Sequence, residues 1–76
     1  MMDKWIPCSE RLPEKSGEYL VVYRADFGRI ASMTHYSAKY RLWRSWDFMP
    51  DVQLRAVAAE QGRYTHWMPL PELPEE

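Results

Sequence analysis

Residues 19–46 read YLVVYRADFGRIASMTHYSAKYRLWRSW, and this stretch decides the fold. Tyr19 to Tyr23 is a β-branched and aromatic run with apolar residues on both alternating faces, the pattern of a central strand covered on both sides. Arg24 to Gly28 supplies turn chemistry, with Gly28 free to take positive φ. Arg29 to Tyr36 (RIASMTHY) reads as a second strand, less apolar and half exposed. After a short connection, Ser37 to Lys39, Tyr40 to Trp46 reads as a third. Strict alternation in that third strand puts Tyr40, Leu42, Arg44 and Trp46 on one face and Arg41, Trp43 and Ser45 on the other. Short connections favour antiparallel neighbours, so residues 19–46 are expected to form a three-stranded meander.

The flanks complete a single domain over residues 1–76. Residues 3–18 carry Pro7, Pro13 and Gly17 with no sustained period, which predicts an extended arm anchored by Trp5, Ile6 and Leu12. Asp51 is placed to cap a short helix over residues 51–61, with Gly62 as its stop and Leu54, Val57 and Ala58 as its apolar stripe. Residues 63–68 (RYTHWM) read as a final strand. Residues 69–76 read as a Pro-rich, acidic tail of extended chain. The expected class is α+β: a small antiparallel sheet of three to four strands, one short helix and extended Pro-rich terminal segments.

Composition sets what must hold this together. The chain has 76 residues, a net charge of −1, one cysteine and eleven aromatic residues: four Trp, five Tyr and two Phe. A domain this short has a small core, and each buried aromatic removes roughly 150–250 Å² from water, so the rings carry most of the stability. No apolar run approaches the roughly 18 residues of a membrane helix. A lone Cys8 and the lack of an apolar leader at the first residues make the cytoplasm the expected location.

The opening WIPCSERLPEKSGEYLVVY and the closing THWMPLPELP resemble the signatures of the domain-of-unknown-function family 551, found in tailed phages and prophages. The shared pattern rests on Trp5, Ile6, Ser9, Glu10, Arg11, Leu12, Pro13, Gly17, Leu20, Val21 and the run Thr65, His66, Trp67, Met68, Pro69, Leu70 and Pro71. The resemblance implies a small, mainly β accessory protein of mobile elements and no established activity. Cys8 departs from it, standing where a small aliphatic is usual. Residues 25–62 carry no part of the pattern. Each signature holds one Trp and a Pro-rich flank, and the simplest physical use is structural, with Trp5 and Trp67 both plugging the core.

Residues able to carry chemistry are sparse. Cys8, Ser9, His35, His66, Asp26, Asp47 and Glu10 are the catalytic candidates, but a nucleophile needs a base within reach and a third group to orient it. Only Cys8 with His66 is conceivable, if the terminal segments are adjacent. No metal-ligand spacing and no phosphate loop occur, so no cofactor or metal is expected and the protein reads as a non-enzyme. Charge is uneven: residues 19–50 hold five basic and two acidic side chains, and residues 51–76 two basic and five acidic. The basic block interleaves Lys39, Arg41 and Arg44 with Tyr36, Tyr40, Trp43 and Trp46. That composition suits a protein interface, including a homodimer, and the resemblance to a phage family implies a host or defence factor as a candidate partner. It also has the ingredients of a platform for single-stranded nucleic acid, although a pI near 6.1 is far from the basic footprint of such binders. Protein binding is the favoured expectation, with no membrane association.

Overall fold

The computed structural model describes residues 5–71. Among them the chain forms β1 (Ile6–Pro7), β2 (Gly17–Ala25), β3 (Gly28–Ser37), β4 (Leu42–Trp43), helix α1 (Asp51–Ala58), a 3₁₀ turn (Gln61–Arg63) and β5 (Tyr64–Pro69). The strands make one antiparallel sheet in the order β1-β5-β2-β3-β4. The α+β class and the antiparallel sheet hold, but with five strands instead of three to four. The extra strand is part of the expected arm: Ile6 pairs with Trp67 and Pro7 with His66. The first residues of that arm, 3–4, and the acidic tip, 72–76, lie outside the described residues. Pro69, expected to start the tail, is the last residue of β5 and sits opposite Tyr19.

The strand expected over residues 40–46 shrinks to two residues. Arg41 (φ 59°) and Arg44 (φ 63°) are both left-handed, and a pleated strand cannot pass through such positions. The chain rolls there, and Trp43 turns inward. It is 2% exposed and forms the hub of an aromatic core with Tyr36, Tyr64 and Trp67, beside Val21. Its ring centroid lies 4.6 Å from Tyr36, 6.1 Å from Tyr64 and 6.3 Å from Trp67. Tyr19 stands edge-on to three of these rings, at 6.3 Å from Tyr36, 6.1 Å from Trp43 and 5.4 Å from Trp67, the geometry that ring quadrupoles prefer.

Gln61 holds Trp43 in place. Its amide Nε2 donates to the Trp43 carbonyl at 3.0 Å and to the Val57 carbonyl at 2.9 Å, while Oε1 accepts the Trp43 N–H at 2.6 Å. One side-chain amide thus satisfies both backbone groups of an edge residue, as a neighbouring strand would. This interaction also shortens the helix. α1 ends at Ala58 and not at residue 61, because Gln61 belongs to the turn that reaches β4. Pro50, not Asp51, occupies the N-cap, and Asp51 lies in the first turn, where its charge suits the helix dipole. Of the expected stripe, Val57 is buried and Leu54 half-buried, while Ala58 is exposed.

The arm is tied down by a few bonds. Cys8 N–H donates to the Thr65 carbonyl at 2.9 Å, and the Trp67 indole N–H donates to the Arg11 carbonyl at 2.8 Å. Leu12 and Cys8 pack on the core cluster and Pro13 is buried. Trp67 is therefore the staple that its motif suggested. Trp5 is not. Ile6 pairs with Trp67 and shares its face, so the preceding residue falls on the other side of the sheet. There Trp5, half-buried, borders Val22, Ala31 and His66.

The loop after β4 is anchored by Asp47. Its carboxylate accepts the Ser37 hydroxyl at 2.5 Å and the Ser16 hydroxyl at 3.0 Å, and Ser16 Oγ in turn accepts the Ala38 N–H at 2.8 Å. These bonds favour the charged form, Ser37 most and Ser16 next, and hold the Asp47 carboxyl below its ordinary 3.8.

Two outcomes follow from this packing. Trp43→Ala and Trp67→Ala should each cost about 3–5 kcal/mol in urea unfolding, and Trp5→Ala less than about 2 kcal/mol, since only part of its ring leaves water. Because Asp47 is lowered in the folded chain, its contribution is complete above the unfolded carboxylate range and fades as pH falls through and below 3.8. Asp47→Asn should therefore lower the unfolding midpoint at pH 7 and flatten its dependence on pH between about 5 and 2.

Candidate functional site

The sheet separates two unlike faces. Residues opposite one another across antiparallel strands share a face, so Tyr19, Val21, Tyr23, Trp67, Tyr64 and Tyr36 form the side covered by the arm and the β4 roll. The other side carries Leu20, Val22, Ala31, Met33, His66 and Met68. α1 packs against β4, at the end of the sheet. Among the described residues, the second face is bordered only by Trp5 at one end and by the loop after β4 at the other. A shallow hollow of about 380 Å³ lies beside Trp5, lined also by Val22, Arg29, Ile30, Ala31 and His66.

At the far end, the Trp46 ring stacks on His35 at 3.7 Å and 17° between planes, and Phe48 continues the stack 6.1 Å from Trp46. His35 Nδ1 lies 2.9 Å from Glu18 Oε2, which fixes the imidazole under the indole. Trp46 stays 44% exposed, Met33 59% and Phe48 81%. Trp5, Leu20, Val22 and Met68 are half-buried on the same face, so the open side carries an apolar strip that is most exposed at its Met33, Trp46 and Phe48 end. Glu18, Arg24 and Arg29 belong to the same face and supply its charge.

This is not the surface expected from the basic block. Tyr36 and Trp43 are buried at 1% and 2%, so they can offer no ring to a ligand. Arg44 pairs with Glu60 at 3.3 Å, and Lys39 Nζ sits 5.1 Å from the centroid of the neighbouring Tyr40 ring. Arg41 lines a separate cleft of about 540 Å³ with Cys8, Arg11, Leu12, Pro13 and Tyr36. Of the seven expected residues, Trp46 alone stands on the open strip. Leu20, Met33 and Phe48 belong there in place of the others. The alternating pattern of β2 and β3 already placed Leu20 and Met33 on one face; what the sequence did not show was which face would be covered.

The catalytic candidates are dispersed. Pro7 pairs with His66, and Cys8 packs on the core cluster while His66 borders the hollow on the opposite face. The sheet itself separates the one conceivable pair. Burial pushes the Cys8 thiol up, and the Trp43 side chain close to it opposes that only in part. His66 Nδ1 contacts the Thr65 hydroxyl at 2.9 Å. Asp26 pairs with Arg63 at 3.3 Å, Asp47 holds its two serines, and Ser9 and Glu10 occupy the exposed turn after β1. Among the described residues no three His, Cys, Asp or Glu side chains converge on a point that could hold a metal. No described helix is long and apolar enough to cross a membrane.

Comparison with known proteins adds the lineage. A small protein of Salmonella phage P22, described as an uncharacterized 7.8 kDa protein in the ral-gp17 intergenic region, is 35% identical over 75 residues, covering 96% of this chain and 98% of the relative. No solved structure matches the fold. The family model for proteins of unknown function DUF551 matches residues 4–75, so the middle segment, which carried no part of the end signatures, falls inside it as well. With both terminal signatures paired strand to strand and the match spanning nearly the whole chain, this protein belongs to the DUF551 family.

Proposed function

We propose that this protein is a phage-type accessory protein that works by binding another protein, without catalysis, through the open apolar face of its sheet. The observation that carries this reading is the strip from Trp5 through Val22, Leu20, Met68 and Met33 to Trp46 and Phe48. A sheet needs cover on its apolar side, and here the described chain covers only one of two. Half-buried and exposed apolar side chains sharing one face and rimmed by charge are a usual mark of a protein contact, and Trp, Met and Arg are over-represented at such places. The separation of Cys8 from His66, together with the raised thiol, leaves binding as the better-supported use of the molecule.

The expected result is a specific, stoichiometric partner. Tagged protein incubated with bacterial lysate should enrich one protein by mass spectrometry, and the double variant Trp5→Ser, Met68→Lys should lose it. Arg55→Ala, on the exposed side of α1, should retain it. Enrichment identical for wild type and the double variant, with both folded by circular dichroism, would remove the open face as the binding surface.

A further inference from the structure

One edge of the sheet is left open along most of its length, and five of the seven large apolar side chains exposed among the described residues lie along it or at its ends. β3 has ten residues, Gly28–Ser37, all nine residues of β2 pair with it, and β4 takes its other edge only at Tyr36 and Ser37. The direction of the backbone groups follows from the turn. Ala25 and Gly28 close the two-residue turn Asp26–Phe27, and in an antiparallel ladder the hydrogen-bonding direction alternates from residue to residue. Gly28, Ile30, Ser32, Thr34 and Tyr36 therefore face β2. Arg29, Ala31, Met33 and His35 face away from it. The Arg44 N–H donating to the His35 carbonyl at 2.6 Å on that outer side fixes the phase. The outward N–H and C=O groups of Arg29, Ala31 and Met33 thus face no strand among the described residues.

Natural proteins guard such an edge with proline, lysine, a bulge or a covering loop. This edge has no proline, lysine or bulge, and its single charge, Arg29, sits near one end, away from Ala31 and Met33. Phe27 at one end is 82% exposed, Ile30 41% and Met33 59% along it, and Trp46 44% and Phe48 81% at the other end. An unguarded edge flanked by rings at both ends is the arrangement of an interface.

We propose that the protein forms a two-fold dimer in which the β3 edges of two copies pair antiparallel with Ala31 on the axis. The edge is self-complementary in that register. Ala31 meets Ala31 of the second copy as a hydrogen-bonded pair, and its small side chain leaves no clash on the axis. Arg29 meets Met33 of the second copy, and by symmetry the reverse, so the arginines do not oppose one another. Every outward N–H and C=O of Arg29, Ala31 and Met33 gains a partner. The same register brings Phe27 of the second copy opposite His35, whose ring is roofed by Trp46. Each hairpin tip is thereby set against the Trp46–Phe48 stack of the other copy. Covering these rings removes on the order of 400 Å² per protomer from water. With the paired edges added, that approaches the roughly 800 Å² per partner of a standard interface. A second copy fits better than an unrelated strand, because only a symmetric pairing uses the exposed rings at both ends of the edge at once. This inference goes beyond the binding proposed for the open face, and it is tested on purified protein alone.

Sedimentation equilibrium of the full chain should give twice the 9.1 kDa monomer mass. Ala31→Pro removes an outward N–H that β2 does not use, a placement that edge strands tolerate, and should raise the dissociation constant about tenfold or more. Met33→Lys should do the same by placing a charge on the edge, and it keeps the test decisive if the proline variant misfolds. In a Cys8→Ser background, Ala31→Cys should crosslink the two copies on mild oxidation, since hydrogen-bonded cross-strand positions lie about 5.5 Å apart at Cα, within disulfide reach. Val52→Cys, exposed on the helix, should not. A monomer mass up to the solubility limit would overturn the proposal, as would a dimer indifferent to both edge variants, or a monomer whose edge takes up an unrelated extended peptide instead.

Discussion

The Gln61 amide on the backbone of Trp43 is the constraint from which the rest of the structure descends. An edge residue whose N–H and C=O are both satisfied by one side chain can be buried without a neighbouring strand. That permits the indole to enter the centre of the molecule, where it touches three buried rings and the edge of Tyr19. With Trp43 inside, the chain must reverse sharply on either side of it, and Arg41 and Arg44 absorb the reversal in left-handed conformations. The roll then delivers Trp46 to the opposite side of the sheet, onto His35. One side-chain contact thereby sets the shape of the core, the end of the helix and the composition of the open face.

Much of this was legible in the sequence. The apolar run Tyr19–Tyr23 marked the central strand, Asp26–Phe27–Gly28 marked the hairpin, and the closing THWMPLP motif marked a Trp that belongs to the core. The errors share a cause. Alternation is a local rule, and it fails where the backbone leaves the pleat; arginine carries no conformational signature that would have exposed Arg41 and Arg44 as turn residues. Trp5 was misplaced for a different reason. Its face depends on the register between β1 and β5, a pairing some sixty residues apart that no local pattern encodes. The expected surface block failed with Trp43: residues rich in rings and arginine looked like one patch, and folding divided them between the interior, a cleft and the open strip.

The two faces also explain how so short a chain is stable. The covered side is almost wholly aromatic, and a few rings in edge-on contact replace the many aliphatic side chains of a larger core. The second side is left to do something else. It retains hydrophobic side chains without covering them, and the polar groups near it, Glu18 with His35 in particular, order the aromatic stack. The thickness of one sheet separates the packed rings from the open side, with Trp67 turned inward and Trp5 on the other face.

The strand order has a consequence for synthesis. β5 lies between β1 and β2, so β1 lacks its partner in the sheet until residues 64–69 have left the ribosome. The hairpin of β2 and β3 can form early, since its contacts are local, but the aromatic interior lacks Tyr64 and Trp67 until β5 has been made. The aromatic interior is therefore assembled from segments far apart along the chain, and the hairpin alone leaves its core rings uncovered.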